Sequence, residues 1–297
     1  MLLFVVCAVM CVGCSVNFSG SIDEDGNSNL GNGGSNNNQI TVPTITMDEA
    51  EKIIKNALAY DDSKNDSILK KFGKHSLYFE NSTIDVYSKN VTGTKTVNSV
   101  YEYSSESMGL INGYSKTHMN RNGVLSASES YLLNDVNYQK NDKGSINEGE
   151  NSILERQLEY FLIDRVFSEG FYEEVYDYDN RVEKVATTNG YKLSIKNGLS
   201  GVMYFNGRYM QGDKFDNVAD YKAALEKRYP QELIDECFVC TTINFDYQNN
   251  IIGVKFEFTM LNQGEGDHVQ MKFLIEVKPT DEVITQPQWL TDYLASK

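Results

Sequence analysis

Between residues 243 and 277 the chain alternates apolar and polar side chains, and this constrains the fold more than any other feature. Ile243, Phe245 and Tyr247 alternate with Asn244 and Asp246. Ile252, Val254, Phe256, Phe258 and Met260 alternate with Gly253, Lys255, Glu257 and Thr259. Beyond Gly264-Glu265-Gly266, a turn signal, Val269, Met271, Phe273, Ile275 and Val277 keep the same period. Successive strand side chains point to opposite faces, so each segment has one apolar and one wet side. That pattern defines an antiparallel sheet covered on one side.

The same period runs upstream. Leu77-Tyr78-Phe79, Ile84 to Tyr87 and residues 97–108 are rich in β-branched and aromatic residues and read as strands. Segments 114–120, 124–133 and 136–140 continue a meander, with Asn112-Gly113 and Asn122-Gly123 as expected hairpin turns. Asn189-Gly190, Asn197-Gly198 and Asn206-Gly207 divide 185–195 and 202–210 into further expected strands. Helices interrupt the pattern. Thr46-x-x-Glu49 is a capping box ahead of Ala50, Ile53, Ile54, Ala57 and Leu58. Ser152-x-x-Glu155 heads a second stripe of Leu154, Leu158, Phe161, Leu162 and Val166, with Gly170 as C-cap. A third helix is expected over 217–229, ended by Pro230. The reading is one α+β domain over 46–297, a long antiparallel sheet with about three helices.

Residues 2–12 form an apolar run far short of the ~20 residues that span a bilayer. Gly13-Cys14 and polar sequence follow, which is the layout of a secretory signal. Cys11-Val12-Gly13-Cys14 resembles the lipobox of bacterial lipoproteins, in which the last Cys becomes the acylated N-terminus. On that reading 1–13 are a signal peptide and Cys14 carries the lipid. An ordinary signal peptide and a buried apolar strand are the alternatives. Residues 15–45 are a Gly/Ser/Asn stretch with little to bury, as expected of a flexible tether holding a domain off a membrane. Only Asp23, Glu24 and Asp25 of the 42 acids fall in it. Most of the net charge of −15 therefore belongs to the folded part, and it argues against a nucleic-acid partner.

Catalytic chemistry has little to stand on. His75, His118 and His268 are isolated and expected at the surface or at strand edges, so no metal site is read. Gly198-Leu199-Ser200-Gly201 lacks the spacing of a nucleophile elbow, and no phosphate-binding loop or dinucleotide fingerprint occurs. Asp177-x-Asp179 opens like a calcium loop, but Val182 and Thr188 stand where Gly and Glu are needed. No catalytic residue and no cofactor is expected. Cys237-Phe238-Val239-Cys240 has the spacing of a redox pair but precedes a strand rather than a helix. A structural disulfide and two free or buried thiols are the other readings. Two cysteines at this spacing within one strand point to opposite faces and cannot bridge.

The order of acylated Cys, tether, leading helix and a meander containing Ser130-Tyr131-Leu132-Leu133-Asn134-Asp135-Val136-Asn137-Tyr138-Gln139-Lys140 resembles the LolA-like and LppX/LprG-type extracytoplasmic lipoproteins. The closing segments 243–247, 251–261 and 268–277, with Pro287 beyond, are similar to that group too. The resemblance implies a curved, half-barrel-like sheet closed by helices around a cavity that holds acyl chains in lipid-carrying members. Phe256, Phe258, Met260, Met271 and Phe273 are then the pocket candidates, with Met203 and Met210 as deformable lining. The same residues equally suit a filled core. The expected function is a non-enzymatic binding or carrier lipoprotein for a lipid or other hydrophobic ligand on the outer face of the bacterial cell membrane. The alternative is a cell-surface structural or protein-interaction lipoprotein.

Overall fold

A computed structural model describes residues 46–58, 68–104, 109–150, 181–209, 214–262 and 268–297. The chain opens with α1 (Met47–Leu58) and α2 (Ile68–Phe72). Six strands follow: β1 (Lys74–Asp85), β2 (Val91–Ser104), β3 (Gly109–Arg121), β4 (Val124–Leu133), β5 (Val136–Asn141) and β6 (Ile146–Glu150). Next come β7 (Arg181–Thr187), β8 (Gly190–Asn197), α3 (Leu199–Tyr209), α4 (Val218–Glu226) and α5 (Gln231–Asp235). The chain closes with β9 (Phe238–Asp246), β10 (Ile251–Leu261), β11 (Val269–Pro279) and α6 (Gln288–Ala295). The second expected helix, the Asp177-x-Asp179 pair, Met210 and Gly264-Glu265-Gly266 lie outside the described residues, as does Cys14. No described helix is long and apolar enough to cross a membrane.

All eleven strands form one antiparallel sheet in the order β6-β5-β4-β3-β2-β1-β11-β10-β9-β8-β7. It is extended and not closed on itself, the half-barrel α+β architecture expected. Two meanders meet where β1 pairs with β11, Phe79 opposite Ile275 and Leu77 opposite Val277. Pairing register carries one set of side chains onto a common face. Leu193, Ile243, Val254, Val277 and Leu77 lie in line from β8 to β1, and Phe256, Ile275, Phe79 and Val97 in the next row. These residues are buried in the main core together with Ala50 and Ile54 of α1, Val202 and Phe205 of α3, and Tyr221 and Leu225 of α4. This side is the core face.

Beyond β2 the apolar side changes. On the core face β2, β3 and β4 place Ser99, Ser115 and Ser130 in register, all buried. On the opposite face Tyr114, Tyr131 and Tyr138 stand in a row. Tyr131 and Tyr138 form a second core with Leu290, and Tyr114, Trp289 and Tyr293 pack against it. The alternation is intact in both halves, but α6 covers the reverse side of β3–β5.

Three expectations are corrected. Asn112-Gly113 is no turn: Gly113 sits inside β3 opposite Tyr101, where a Cβ would lie 1.8 Å from the ring. Glycine is needed there for close approach, not for positive φ. Residues 202–209 are helix, not strand. Asn197 accepts from the Ser200 hydroxyl at 2.7 Å and the Gly201 amide at 3.3 Å, so Asn197-Gly198 starts α3. His75 is fully buried rather than at the surface. Asn122-Gly123 does turn, with φ of 50° and 83°. The leading capping box forms as expected, with the Thr46 amide donating to Glu49 Oε2 at 2.8 Å.

Candidate functional site

β10 and β11 bring the candidates together through cross-strand pairing. Phe258 lies opposite Phe273 and Met260 opposite Met271, with Phe256 one row away. Phe258 and Phe273 stack with ring centroids 4.2 Å apart at 12°. Phe205 of α3 closes over them, 4.8 Å from Phe258 and 5.4 Å from Phe256. Phe79 extends the run edge-on, 6.2 Å from Phe273. Phe256, Phe258, Met260 and Phe273 are buried, at most 3% exposed, whereas Met271 is half-buried. The five residues therefore form one aromatic cluster beneath α3, with Met271 at its rim. Phe205 belongs to it but was missed in the sequence because its segment reads as a strand. Met203 is half-buried against the same core.

Charge is sorted between the faces. Glu80, Glu102, Glu129, Glu148, Glu257 and Glu276 all fall on the side opposite the core, as pairing register requires. Asp85 aside, whose carboxylate accepts the Tyr87 and Ser88 amides in a turn, no described strand sets an acid on the core face. Polar atoms are nevertheless buried there. Among the described residues, Asn81 Oδ1, Ser99 Oγ, Asn137 Oδ1 and His75 Nε2 find no hydrogen-bond partner. His75 Nδ1 lies 3.0 Å from the Gly73 carbonyl, so it is the protonated nitrogen and Nε2 faces inward as an acceptor. Burial pushes the pKa of this imidazole down to about 4 against the weaker opposing effect of the Gly73 bond.

Cys237 and Cys240 are free. Cys237, before β9, is buried and its thiol donates to the Leu233 carbonyl at 3.6 Å. Burial pushes that thiol up to about 12, far from the thiolate that redox chemistry uses. Cys240 stands on the opposite face of β9, paired with Lys196 and Glu257. Among the described residues no three of His, Cys, Asp or Glu gather as metal ligands. His118 is exposed, and His268 sits between Tyr87 and Tyr229, 5.1 and 5.7 Å from their ring centroids.

A groove of about 540 Å³ runs across the opposite face, from β9 to β3, and Thr280 and Glu282 beyond β11 also line it. Tyr78, Asn98, Tyr114 and Lys116 form part of its floor. The Tyr78 hydroxyl donates to Glu80 Oε2 at 2.5 Å, and Lys255 bridges Glu257 and Glu276 at 3.4 and 3.8 Å.

No protein-family model matches the chain, and no curated protein does. Among solved structures it is similar to LprF from Mycobacterium bovis, at 11% identity and a TM-score of 0.37, over 82% of this chain and 99% of that one. A DUF1329 family protein from Desulfovibrio piger matches at 8% identity and a TM-score of 0.23, over 84% of this chain and 99% of the other. A porin-like protein from Bacteroides uniformis follows at 10% and 0.17, over 69% and 96%. Likeness of this order identifies neither ligand nor activity.

Proposed function

We propose that the protein is a non-enzymatic, membrane-tethered carrier that holds a hydrophobic ligand against the core face of its sheet. The observation that carries this reading is the Phe79–Phe273–Phe258–Phe205 run, continued by Met260 and Met271 on a face where the described strands set a single acid, Asp85 at the end of β1. Aromatic and thioether side chains adapt to acyl chains without hydrogen-bonding demands. Asn81 lies opposite Phe273, so an unsatisfied acceptor adjoins the aromatic run. That favours an amphiphile with a donor group over a pure hydrocarbon. On this reading residues 1–13 are the signal peptide, Cys14 carries the acyl anchor, 15–45 are the tether and 46–297 the carrier domain, outside the cytoplasm. The anchor is tested with Cys14→Ala, which should release the protein from membranes; retention in the membrane pellet would overturn it.

The tight stacking of Phe258 on Phe273 favours a second reading, an interaction lipoprotein whose core is simply filled. Uptake of a fluorescent fatty acid separates the two. The carrier takes up the probe and Met271→Ala weakens uptake with little loss of stability, whereas the filled core takes up none.

A further inference from the structure

We propose that the groove on the opposite face is a binding site for a glycan chain, separate from the carrier face. Three observations define it. First, it crosses the interior of the sheet: its floor is built by β9, β10, β11, β1, β2 and β3, while the outermost of the described strands are β6 and β7. An extended peptide cannot add as a strand here, because those backbone groups are already paired on both sides.

Second, Tyr78 and Tyr114 stand two strands apart. Tyr78 is in register with Asn98, and Val100, two residues on, is in register with Tyr114. With strands about 4.8 Å apart and about 3.3 Å per residue, the two tyrosines are set roughly 12 Å apart on the diagonal. That spacing suits alternate rings of an extended oligosaccharide, one against each tyrosine, with the Lys116 ammonium, 5.7 Å from the centre of the Tyr114 ring, placed to donate to the sugar there. Third, Asn98, Asn244, Lys116, Lys278 and Glu282 are among the residues that line the groove, and their side chains carry amide, ammonium and carboxylate groups. Closely spaced donors and acceptors of both kinds suit vicinal hydroxyls. The mixed charge makes a poor bed for an acyl chain. Because the floor is hydrogen-bonded sheet, little of the site must be ordered on binding.

The single tryptophan reports on this site. Trp289 Nε1 donates to Glu129 Oε2 at 2.8 Å, and Glu129 also accepts from the groove residue Tyr114. The test titrates cellohexaose and chitohexaose into the full chain carrying Cys14→Ser, followed by tryptophan fluorescence and calorimetry. The expected result is saturable binding of at least one hexasaccharide in the millimolar range or tighter. Tyr78→Ala should weaken it about tenfold, as loss of an aromatic contact does, while the domain stays folded with a modestly lower Tm. Tyr78→Phe, which keeps the ring and loses only the hydroxyl bonded to Glu80, should bind like wild type. Fatty-acid uptake should be unchanged in both variants, since the Phe cluster lies on the other face. No binding of either sugar overturns the proposal. So does binding indifferent to Tyr78→Ala, or groove occupancy by an unstructured pentapeptide but by neither sugar.

Discussion

Gly113 and His75 show how single residues hold the sheet's geometry. The Tyr101 ring lies where a side chain on Gly113 would go, so Gly113→Ala must displace that fully buried ring. The expected cost is about 2 kcal/mol or more, as for an overpacked core. Adding it to Tyr101→Ala should cost little further, and a double-mutant cycle in urea reads that coupling. His75 gives a pH dependence. Its native pKa of about 4 lies below the value of 6.5 it has when free, so the unfolded chain binds the proton first as pH falls. Stability is therefore full above pH 6.5 and is lost as pH drops from there to about 4, by roughly 3 kcal/mol at most. His75→Asn keeps a donor for the Gly73 carbonyl and removes the titration. Urea midpoints at pH 7 and pH 4.5 should converge in the variant and stay apart in wild type; an equal acid loss in both would assign the effect elsewhere.

Strands β9–β11 were legible as elements because each keeps one apolar face through its length, and period two needs no tertiary knowledge. The opposite faces of Phe256 and Lys255 make a test. Phe256→Asp buries an unpaired carboxylate beside Phe205 and should unfold the domain. Lys255→Asp, on the wet side, turns two ion pairs into a cluster with Glu257 and Glu276, and should cost only about 1 kcal/mol. Equal melting temperatures for the two would contradict the register. α3 escaped sequence reading because Asn206-Gly207 mimics a hairpin, while its real start, the Asn197 cap, looks like one more turn. α6 escaped too, although Trp289, Leu290, Tyr293 and Leu294 stand at helical spacing behind Pro287. Its anchors, Glu129 for Trp289 and Glu148 for Tyr293, lie about 150 residues away in sequence. Only the folded sheet brings them beneath it.

At the scale of the molecule the two faces of the sheet are built differently, one around an aromatic core and the other around a polar groove. The aromatic cluster could be named from sequence because its members lie on neighbouring strands of one meander, Phe205 and Phe79 excepted. The groove could not, since Tyr78, Tyr114 and Asn244 meet only when β1 joins β11 and unites the two meanders. Nor could the change of apolar side beyond β2, which depends on α6 returning across β3–β5. The carrier reading rests on whether the core face admits a ligand beside the stacked phenylalanines. Phe258→Ala removes the centre of the stack and should cost about 3–5 kcal/mol if the face is filled. It should cost clearly less if a bound chain occupies the vacated space. Native mass spectrometry of the full chain carrying Cys14→Ser, purified without detergent, decides most directly. The account predicts a population heavier than the bare chain by one lipid mass, lost when the sample is extracted with organic solvent. A single bare-chain mass, together with no uptake of a fluorescent fatty acid, would contradict it.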